Sequence, residues 1–164
     1  MPVPSLITEL SVTAGLNNPP GGEDVFPQLD NYLRAHAAFI AQLRQTIASE
    51  KYQIACSDLT SDLEVDPEAA YFRIQQALTV SEVRASVIEA SASGAVEIDI
   101  EVNGVSMFST PLTIDAGETT SVTAAVPAVL STTSLPNDAL ILIKIDSPGA
   151  GARGLIVAIQ GTAA

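Results

Sequence analysis

A strict alternation of apolar and acidic residues constrains this chain more than any other feature. Positions 96 to 102 read Val-Glu-Ile-Asp-Ile-Glu-Val, and Asn103-Gly104 follow directly. Because successive side chains of a β-strand point to opposite faces, this period of two predicts a strand with one buried face and one wet face. Asn-Gly after such a run is typical of a tight turn between antiparallel strands. We therefore predict a β-hairpin at this position.

The same kind of signal recurs from residue 71 to residue 164. Short runs rich in Val, Ile, Thr, Ser and Ala are separated by turn residues, which predicts an antiparallel β-sandwich or jelly roll. No helical periodicity follows residue 51, so a parallel βαβ fold is not expected. The predicted turns are Ser93-Gly94, Asn103-Gly104, Ala116-Gly117, Pro136-Asn137-Asp138 and Pro148-Gly149. The predicted strands cover 71–80, 83–91, 96–103, 105–114, 119–126, 139–146 and 154–161.

Two of these strands are apolar on both faces. They contain Leu140-Ile141-Leu142-Ile143 and Leu155-Ile156-Val157-Ala158-Ile159. Such strands are either central and covered on both sides, or buried on one side between subunits. Both alternatives stay open, and the second agrees with a homo-oligomer.

One long α-helix is predicted over residues 24–50, with Asp24 as its N-cap. Apolar residues recur at spacings of four and three, which is a heptad seam of about three repeats. The seam could pack on the β-domain or on copies of itself, and its constant register favours self-association, for example a trimeric coiled coil. His36 lies within it, either at the symmetry axis or at the edge of the seam. The predicted oligomerisation seam is Leu29, Leu33, His36, Ile40, Leu43 and Ile47.

Residues 1–23 are predicted to form an extended anchoring arm. Four prolines and Gly21-Gly22 exclude a helix or a central strand there, and the segment is more apolar than a typical disordered tail. A frayed terminus is the alternative. Residues 51–70 are interpreted as a connector that begins with a short strand and continues with acidic residues into the β-domain at 71–164. The apolar residues of the arm, which we expect to dock on a neighbour, are Leu6, Ile7, Leu10, Val12 and Leu16.

Composition narrows the classes of partner. The net charge is −12 and the pI is about 4.1, so nucleic acid and anionic membranes are not expected as partners. The longest aliphatic run, Ala139 to Ile143, is too short to cross a bilayer. Cys56 is the single cysteine, which excludes an intrachain disulfide. The first residues show no signal-peptide pattern. This and the single cysteine predict folding in a reducing cytoplasm.

Chemical motifs are few, and we predict no enzyme activity, no cofactor and no metal site. The stretch 149–154 matches G-x-G-x-x-G, but a strand follows instead of the helix that dinucleotide binding needs. We interpret it as a flexible hairpin loop. Glu97, Asp99 and Glu101 share one strand face and are interpreted as solvated, although such a ladder could offer oxygen ligands to Ca²⁺. His36 is the only histidine and has no partner for a catalytic dyad.

Glycan binding is the alternative from another functional class, because jelly rolls often bind sugars. Sugar platforms rely on aromatic stacking, and the β-region offers only three aromatic residues and no Trp. Phe72 and Phe108 are expected in the core, which leaves Tyr71. A host glycan is therefore a candidate ligand without direct support.

Two stretches of the chain resemble proteins of tailed-bacteriophage virions. Residues 17–24, Asn-Asn-Pro-Pro-Gly-Gly-Glu-Asp, followed by Leu-Asp-Asn-Tyr-Leu-Arg at 29–34, are similar to the N-terminal anchors of tail-fibre proteins. The β-domain resembles a phage virion module through residues 70–73, 83–86, 93–96, 102–106, 112–118 and 151–155. The resemblance implies a short trimeric tail-fibre or appendage protein, assembled in the bacterial host cytoplasm and bound to other virion proteins. The alternative within this class is a capsid decoration or head-fibre protein.

Overall fold

The computed structural model describes residues 29–47 and 49–164, and β-structure predominates within them. These residues belong to two compact units: a helical unit that ends at residue 48, and a β-unit over 49–164. All of the strand pairs are antiparallel, so the predicted mainly β class is confirmed. The elements are α1 (Leu29–Ile47), β1 (Ser49–Ala55), β2 (Asp66–Arg73), β3 (Leu78–Ser86), β4 (Val96–Val102), β5 (Val105–Ser106), β6 (Phe108–Thr110), β7 (Leu112–Ile114), β8 (Val129–Leu130), β9 (Ser134–Leu135), β10 (Leu140–Pro148) and β11 (Ile156–Ala163).

Two sheets contribute to a single hydrophobic core in the β-unit. Sheet A has the strand order β1-β11-β3-β9, and sheet B has the order β2-β10-β4-β5, with β7 also paired to β4. Strands β6 and β8 form a separate pair. Inward-facing residues of β3, β4, β10 and β11 are buried in one shared cluster, and those of β1 and β2 are partly buried against it, an arrangement consistent with a β-sandwich. Members of that cluster include Val80, Val157 and Ile159 from sheet A, and Ile98, Ile100 and Ile143 from sheet B.

The predicted hairpin is confirmed at β4 and β5, where Val102 lies opposite Val105. Asn103 and Gly104 have φ angles of 51° and 85°, as the two central residues of a type I′ turn require. The Asn103 N–H donates to the Leu140 carbonyl at 2.9 Å, and the Leu140 N–H donates to Asn103 Oδ1 at 2.9 Å. The turn residue therefore also fixes the start of β10.

The two strands predicted to be apolar on both faces are central strands. β10 lies between β2 and β4, and β11 lies between β1 and β3. One face of each is buried in the core, whereas the opposite-facing Leu140, Leu142, Ile156 and Ala158 are half-buried in the single chain. The prediction that both strands are central is thus confirmed, and burial of their outer faces between subunits stays a prediction.

The predicted helix is shorter at its C-terminal end than expected. α1 ends at Ile47, and Ser49 and Glu50 already belong to β1, so the helical assignment of those two residues is wrong. The pairing of Ser49 with Thr162 on β11 explains the change, since sheet pairing overrides a continued helical pattern. The predicted N-cap Asp24, residues 24–28 and the whole arm over 1–23 lie outside the described residues.

The strand predicted over 119–126 is wrong. Residues Ser121–Thr123 form a 3₁₀-helix capped by Thr120, whose side chain accepts the Val122 N–H. The Thr123 hydroxyl donates to Glu118 Oε2 at 2.5 Å, and Asp115 Oδ2 accepts the Ala125 N–H at 2.8 Å. Hydroxyl and carboxylate side chains thus bind the local backbone and outcompete strand pairing, despite a composition typical of a strand.

Other predicted strands are broken or shifted. The predicted strand 71–80 is two strands, because the chain leaves sheet B at Arg73 and enters sheet A at Leu78, and β3 ends at Ser86 rather than near residue 91. The predicted strand 105–114 is three short strands. Its first break lies at the fully buried Met107, where the Ser106 hydroxyl accepts the Phe108 N–H at 3.1 Å.

The loop over residues 149–154 is a packed connection between the sheets, so its interpretation as a flexible hairpin loop is wrong. Strands β10 and β11 belong to different sheets, and Ala152 between them is fully buried. The Ser91 hydroxyl lies 2.7 Å from the carbonyl oxygens of Ser93 and Gly94 and accepts the Ala150 N–H at 3.0 Å. A Cβ at Gly149 would lie 2.5 Å from that hydroxyl, which explains the glycine.

Replacement of Ser91 by alanine tests this connection. Ser91 is the only buried polar side chain among the described residues, and its loss would remove the hydrogen bonds that its hydroxyl makes with the Ser93 and Gly94 carbonyls and the Ala150 N–H. We expect Ser91→Ala to lower the free energy of unfolding by about 1–3 kcal/mol in urea titrations. Ser93→Ala, which alters an exposed neighbouring hydroxyl, is the matched control and should stay close to wild type. Equal stability of the two variants would contradict this role of Ser91.

Candidate interaction surfaces

The first candidate surface is an apolar stripe on α1, formed by Leu33, His36, Ile40 and Leu43. Leu33, Ile40 and Leu43 are 59%, 60% and 47% exposed, and His36 is exposed as well. Phe39, beside the stripe, is only 5% exposed. The Phe39 side chain is therefore covered, whereas the middle of the predicted seam remains open to solvent.

The exposed residues of the α1 stripe keep the three-and-four spacing of the predicted seam. A side chain such as Leu or Ile gains about 1.5–3 kcal/mol when it is fully buried, so three exposed ones on one helix face favour a contact. The side chains of Leu29 and Ile47, the two ends of the predicted seam, lie outside the described part of the chain. The structure thus shows the middle of the seam as one continuous exposed face.

The second candidate surface is the outer face of sheet B, which we call the Tyr71 patch and define by Tyr71, Leu140 and Leu142. Leu142 lies opposite Tyr71 on β2, and Leu140 lies opposite Arg73. Tyr71 is 74% exposed, the two leucines are half-buried, and together they line a shallow hollow with Glu68 and Arg73 at its rim. The patch is thus an aromatic ring next to two aliphatic side chains on an otherwise charged strand face.

Next to the Tyr71 patch, the outer face of sheet B carries paired charges on β10 and β4. Glu101 forms an ion pair with Lys144, and both side chains are largely covered. Asp99, opposite Lys144 across the strands, accepts the Ser106 hydroxyl at 2.5 Å and the Ile100 N–H at 2.8 Å. The hydrogen bond to Glu101, with smaller contributions from Asp99 and Asp146, raises the pKa of Lys144.

Glu97, Asp99 and Glu101 share the outer face of sheet B, as the alternation predicts, but all three are half-buried and not fully exposed. Cross-strand partners explain the difference for two of them. Lys144 on β10 neutralises Glu101, and Ser106 on β5 binds Asp99. Within the described residues, no group of three or more His, Cys, Asp or Glu side chains is placed to hold a metal ion.

The rest of the β-unit carries a strong negative charge. Five Lys and Arg residues stand against fifteen Asp and Glu residues between 49 and 164, a net charge of −10. Four of the five cations are in ion pairs: Arg73 with Asp138, Arg84 with Glu82, Lys144 with Glu101, and Arg153 with both Asp62 and Glu89. Most carboxylates therefore face solvent unpaired by a cation, and a contact with a like-charged copy is unfavourable over most of this surface.

The acidic segment before β2 has a structural role at Asp58. Its carboxylate oxygen Oδ1 accepts the N–H groups of Thr60 and Ser61, both at 2.7 Å. These bonds to the charged form, that of Ser61 first, lower the pKa of Asp58 from 3.8 to about 2. The carboxylate therefore stabilises the loop that follows β1.

Cys56 and His36, the residue types most suited to catalysis, belong to different units. Cys56 belongs to the β-unit core, is a free thiol, and has its pKa raised to about 11 by burial. Such a thiol is a poor nucleophile at neutral pH. His36 is an exposed residue of the α1 stripe in the other unit.

The aromatic residues are placed as expected. Phe72 and Phe108 are partly buried against the core, and the Phe72 ring stacks on Tyr52 of β1 with a centroid distance of 5.4 Å. Tyr71 is left on the surface. Its exposure follows from strand alternation next to the inward-facing Phe72, whereas its two leucine neighbours come from a distant part of the sequence and could not be identified without the strand register.

Comparison of the chain with protein families, with curated proteins and with solved structures found no match. The resemblance to phage virion proteins therefore stays a prediction. Among the described residues, no helix is both long enough and apolar enough to cross a membrane.

The pH dependence of stability tests the role of Asp58. Because its pKa is lower in the folded chain, its stabilising contribution is present above pH 4 and is lost as the pH falls from about 4 to about 2. Asp58→Asn cannot titrate, so its unfolding free energy should fall less steeply over this interval than that of wild type. Glu64→Gln, which removes one exposed charge from the same segment, controls for net charge. An identical acid slope for Asp58→Asn and wild type would show that the carboxylate does not stabilise the loop.

Proposed function

We propose that this chain is a non-enzymatic structural protein of a tailed-phage virion, a short trimeric tail-fibre or appendage protein. The observation that carries the proposal is the exposed α1 stripe. In the single chain three large aliphatic side chains of one helix face are open to water, which is the condition that a helical bundle of several copies would relieve. In this proposal the seam extends to Leu29 and Ile47 at its two ends.

The β-unit suits an outer module in this proposal. The outer face of sheet A is polar, with Lys51, Gln53, Glu82, Arg84 and Gln160 around a shallow hollow. The sheets are of the jelly-roll type in our proposal, and they would project from the particle while the N-terminal part anchors the chain. A rigid module with no assembled catalytic group among its described residues fits a structural role.

The virion assignment depends on the resemblance of residues 17–34 and of the β-domain to phage proteins. The arm residues Leu6, Ile7, Leu10, Val12 and Leu16 would bind another virion protein, and assembly would take place in the host cytoplasm. Antibodies against the β-unit test this placement by electron microscopy of purified particles. Labelling of the tail supports the proposal, labelling of the head favours a decoration protein, and particles without the protein would contradict both.

A second candidate function follows from Tyr71. An exposed ring beside Arg73 and Glu68 could stack on a sugar while the charged groups bind hydroxyls, as in a lectin-like module. A glycan array tests this alternative. Binding that is lost in Tyr71→Ala would favour it, and an array without binding would count against it.

A single substitution on the α1 stripe tests the trimer. Ile40→Asp places a carboxylate in each copy of the proposed seam, so we expect the mass in solution to fall from about 51 kDa, three chains of 17.0 kDa, toward that of one chain. Sedimentation equilibrium at several concentrations measures the change.

Ala38→Asp is the matched control, because Ala38 is exposed on the opposite side of α1 and receives the same side chain. It should remain trimeric. Two variants with the same mass as wild type would show that the α1 stripe is not a contact between copies.

A further inference from the structure

We infer that the outer face of sheet A binds a carbohydrate that carries carboxylate groups, such as a chain that contains uronic acids. The site is a shallow depression that we call the sheet A hollow. The inference goes beyond the proposed virion role and does not depend on the trimer, because every residue of the hollow belongs to the β-unit. The sheet A hollow is lined by Lys51, Gln53, Glu82, Arg84, Ala158 and Gln160.

The strand register arranges these side chains in two rows across β1, β11 and β3. The rows are Lys51, Gln160 and Glu82, and Gln53, Ala158 and Arg84. Ala158 has the smallest side chain and lies in the middle of its row, so it forms the floor of the hollow. The rows are roughly 7 Å apart and the strands β1 and β3 roughly 10 Å apart, so Lys51 and Arg84 stand at opposite corners.

Charge distinguishes this face from the β-unit as a whole. The unit has a net charge of −10, whereas the hollow holds two cations and one carboxylate, a net charge of +1. An anionic group can therefore approach sheet A here, although most of the surface repels it. The register places six further residues on this face, none of them acidic: Ser49, Ala55, Thr79, Ser86, Ile156 and Thr162.

Both cationic side chains of the hollow can still donate hydrogen bonds to a ligand. Lys51 forms no ion pair with any residue that the structure describes. Arg84 binds Glu82 through Nη2 at 2.6 Å, but its side chain is 54% exposed and a guanidinium has five N–H groups. Lys51 and Arg84 can therefore each donate to a carboxylate without breaking a contact within the chain.

Gln53 and Gln160 favour a carbohydrate over other anions. Within the described part of the chain their side-chain amides form no hydrogen bond, and an amide both donates and accepts. Sugar hydroxyls do both as well, whereas a phosphodiester only accepts. Nucleic acid also carries a charge on every nucleotide, which an acidic unit repels. A ligand with sparse carboxylates among neutral hydroxyls therefore matches the hollow best.

Titration of the full chain with acidic oligosaccharides tests the inference. The probes are oligomers of galacturonic, glucuronic and mannuronic acid. The methyl ester of each oligomer is the ligand control, because it has the same hydroxyls without the charge. We expect at least one acidic oligomer to bind, and its ester to bind about tenfold or more weakly, as measured by isothermal titration calorimetry. Added salt should weaken the binding of the acidic form.

Removal of one cation at a time locates the site. Arg84→Gln takes a positive charge from the sheet A hollow, and the matched control Arg73→Gln takes one from the outer face of sheet B. Both arginines are in exposed ion pairs, with side chains 54% and 57% exposed. We expect Lys51→Gln and Arg84→Gln each to weaken binding about tenfold, whereas Arg73→Gln should bind like wild type. Circular dichroism melts check that the variants remain folded.

Several outcomes would overturn the inference. These are no binding of any acidic oligomer, equal affinity for acids and esters, or an equal loss in Arg84→Gln and Arg73→Gln, which would reflect net charge alone. Binding that is lost in Tyr71→Ala but kept in Lys51→Gln would assign the sugar to the Tyr71 patch instead. The trimer is tested separately by Ile40→Asp, so failure of one proposal leaves the other standing.

Discussion

The fold of the β-unit depends on aliphatic rows that run across strands into one core. Ile143 on β10 lies between Ala70 and Ile100 in sheet B, and Ile159 on β11 lies between Tyr52 and Val83 in sheet A. A slip of one residue would turn the acidic residues of β4 into the core and its isoleucines out, so the register is strongly specified. Asn103 reinforces it, because its backbone and side chain both bind Leu140. The same register brings Lys144 to Glu101 and Leu142 to Tyr71, which creates the outer face of sheet B.

Local sequence patterns were sufficient for the elements that depend on alternation and turn chemistry. The run 96–104 predicts β4 and its turn correctly, because both the buried side chains and the left-handed backbone at Asn103-Gly104 are encoded there. Segments such as 119–126 were mispredicted because Thr120 and Asp115 bind nearby backbone groups, an effect that composition does not reveal. Cross-strand relations were the least predictable. The partners of Glu101 and Tyr71 come from β10, some 40 or more residues away at Lys144 and Leu142, so the sequence suggested a solvated acidic face and a lone tyrosine.

The two candidate surfaces share one physical property. The β-unit is strongly acidic, and both the α1 stripe and the Tyr71 patch are places where large apolar side chains are exposed. In the account proposed here, contact between copies through the α1 stripe makes a short chain into an appendage.

A distance measurement between copies tests the central claim most directly. A spin label is attached to the cysteine of an Ala38→Cys variant in a Cys56→Ala background. It lies on α1 opposite the stripe, where it does not disturb the proposed contact. Double electron–electron resonance spectroscopy on the full chain should show one narrow distance of roughly 3 nm between labels, as expected for three helices packed about 8–10 Å apart. A signal without dipolar modulation at concentrations of tens of micromolar would contradict the account, because the α1 stripes would then not be in contact.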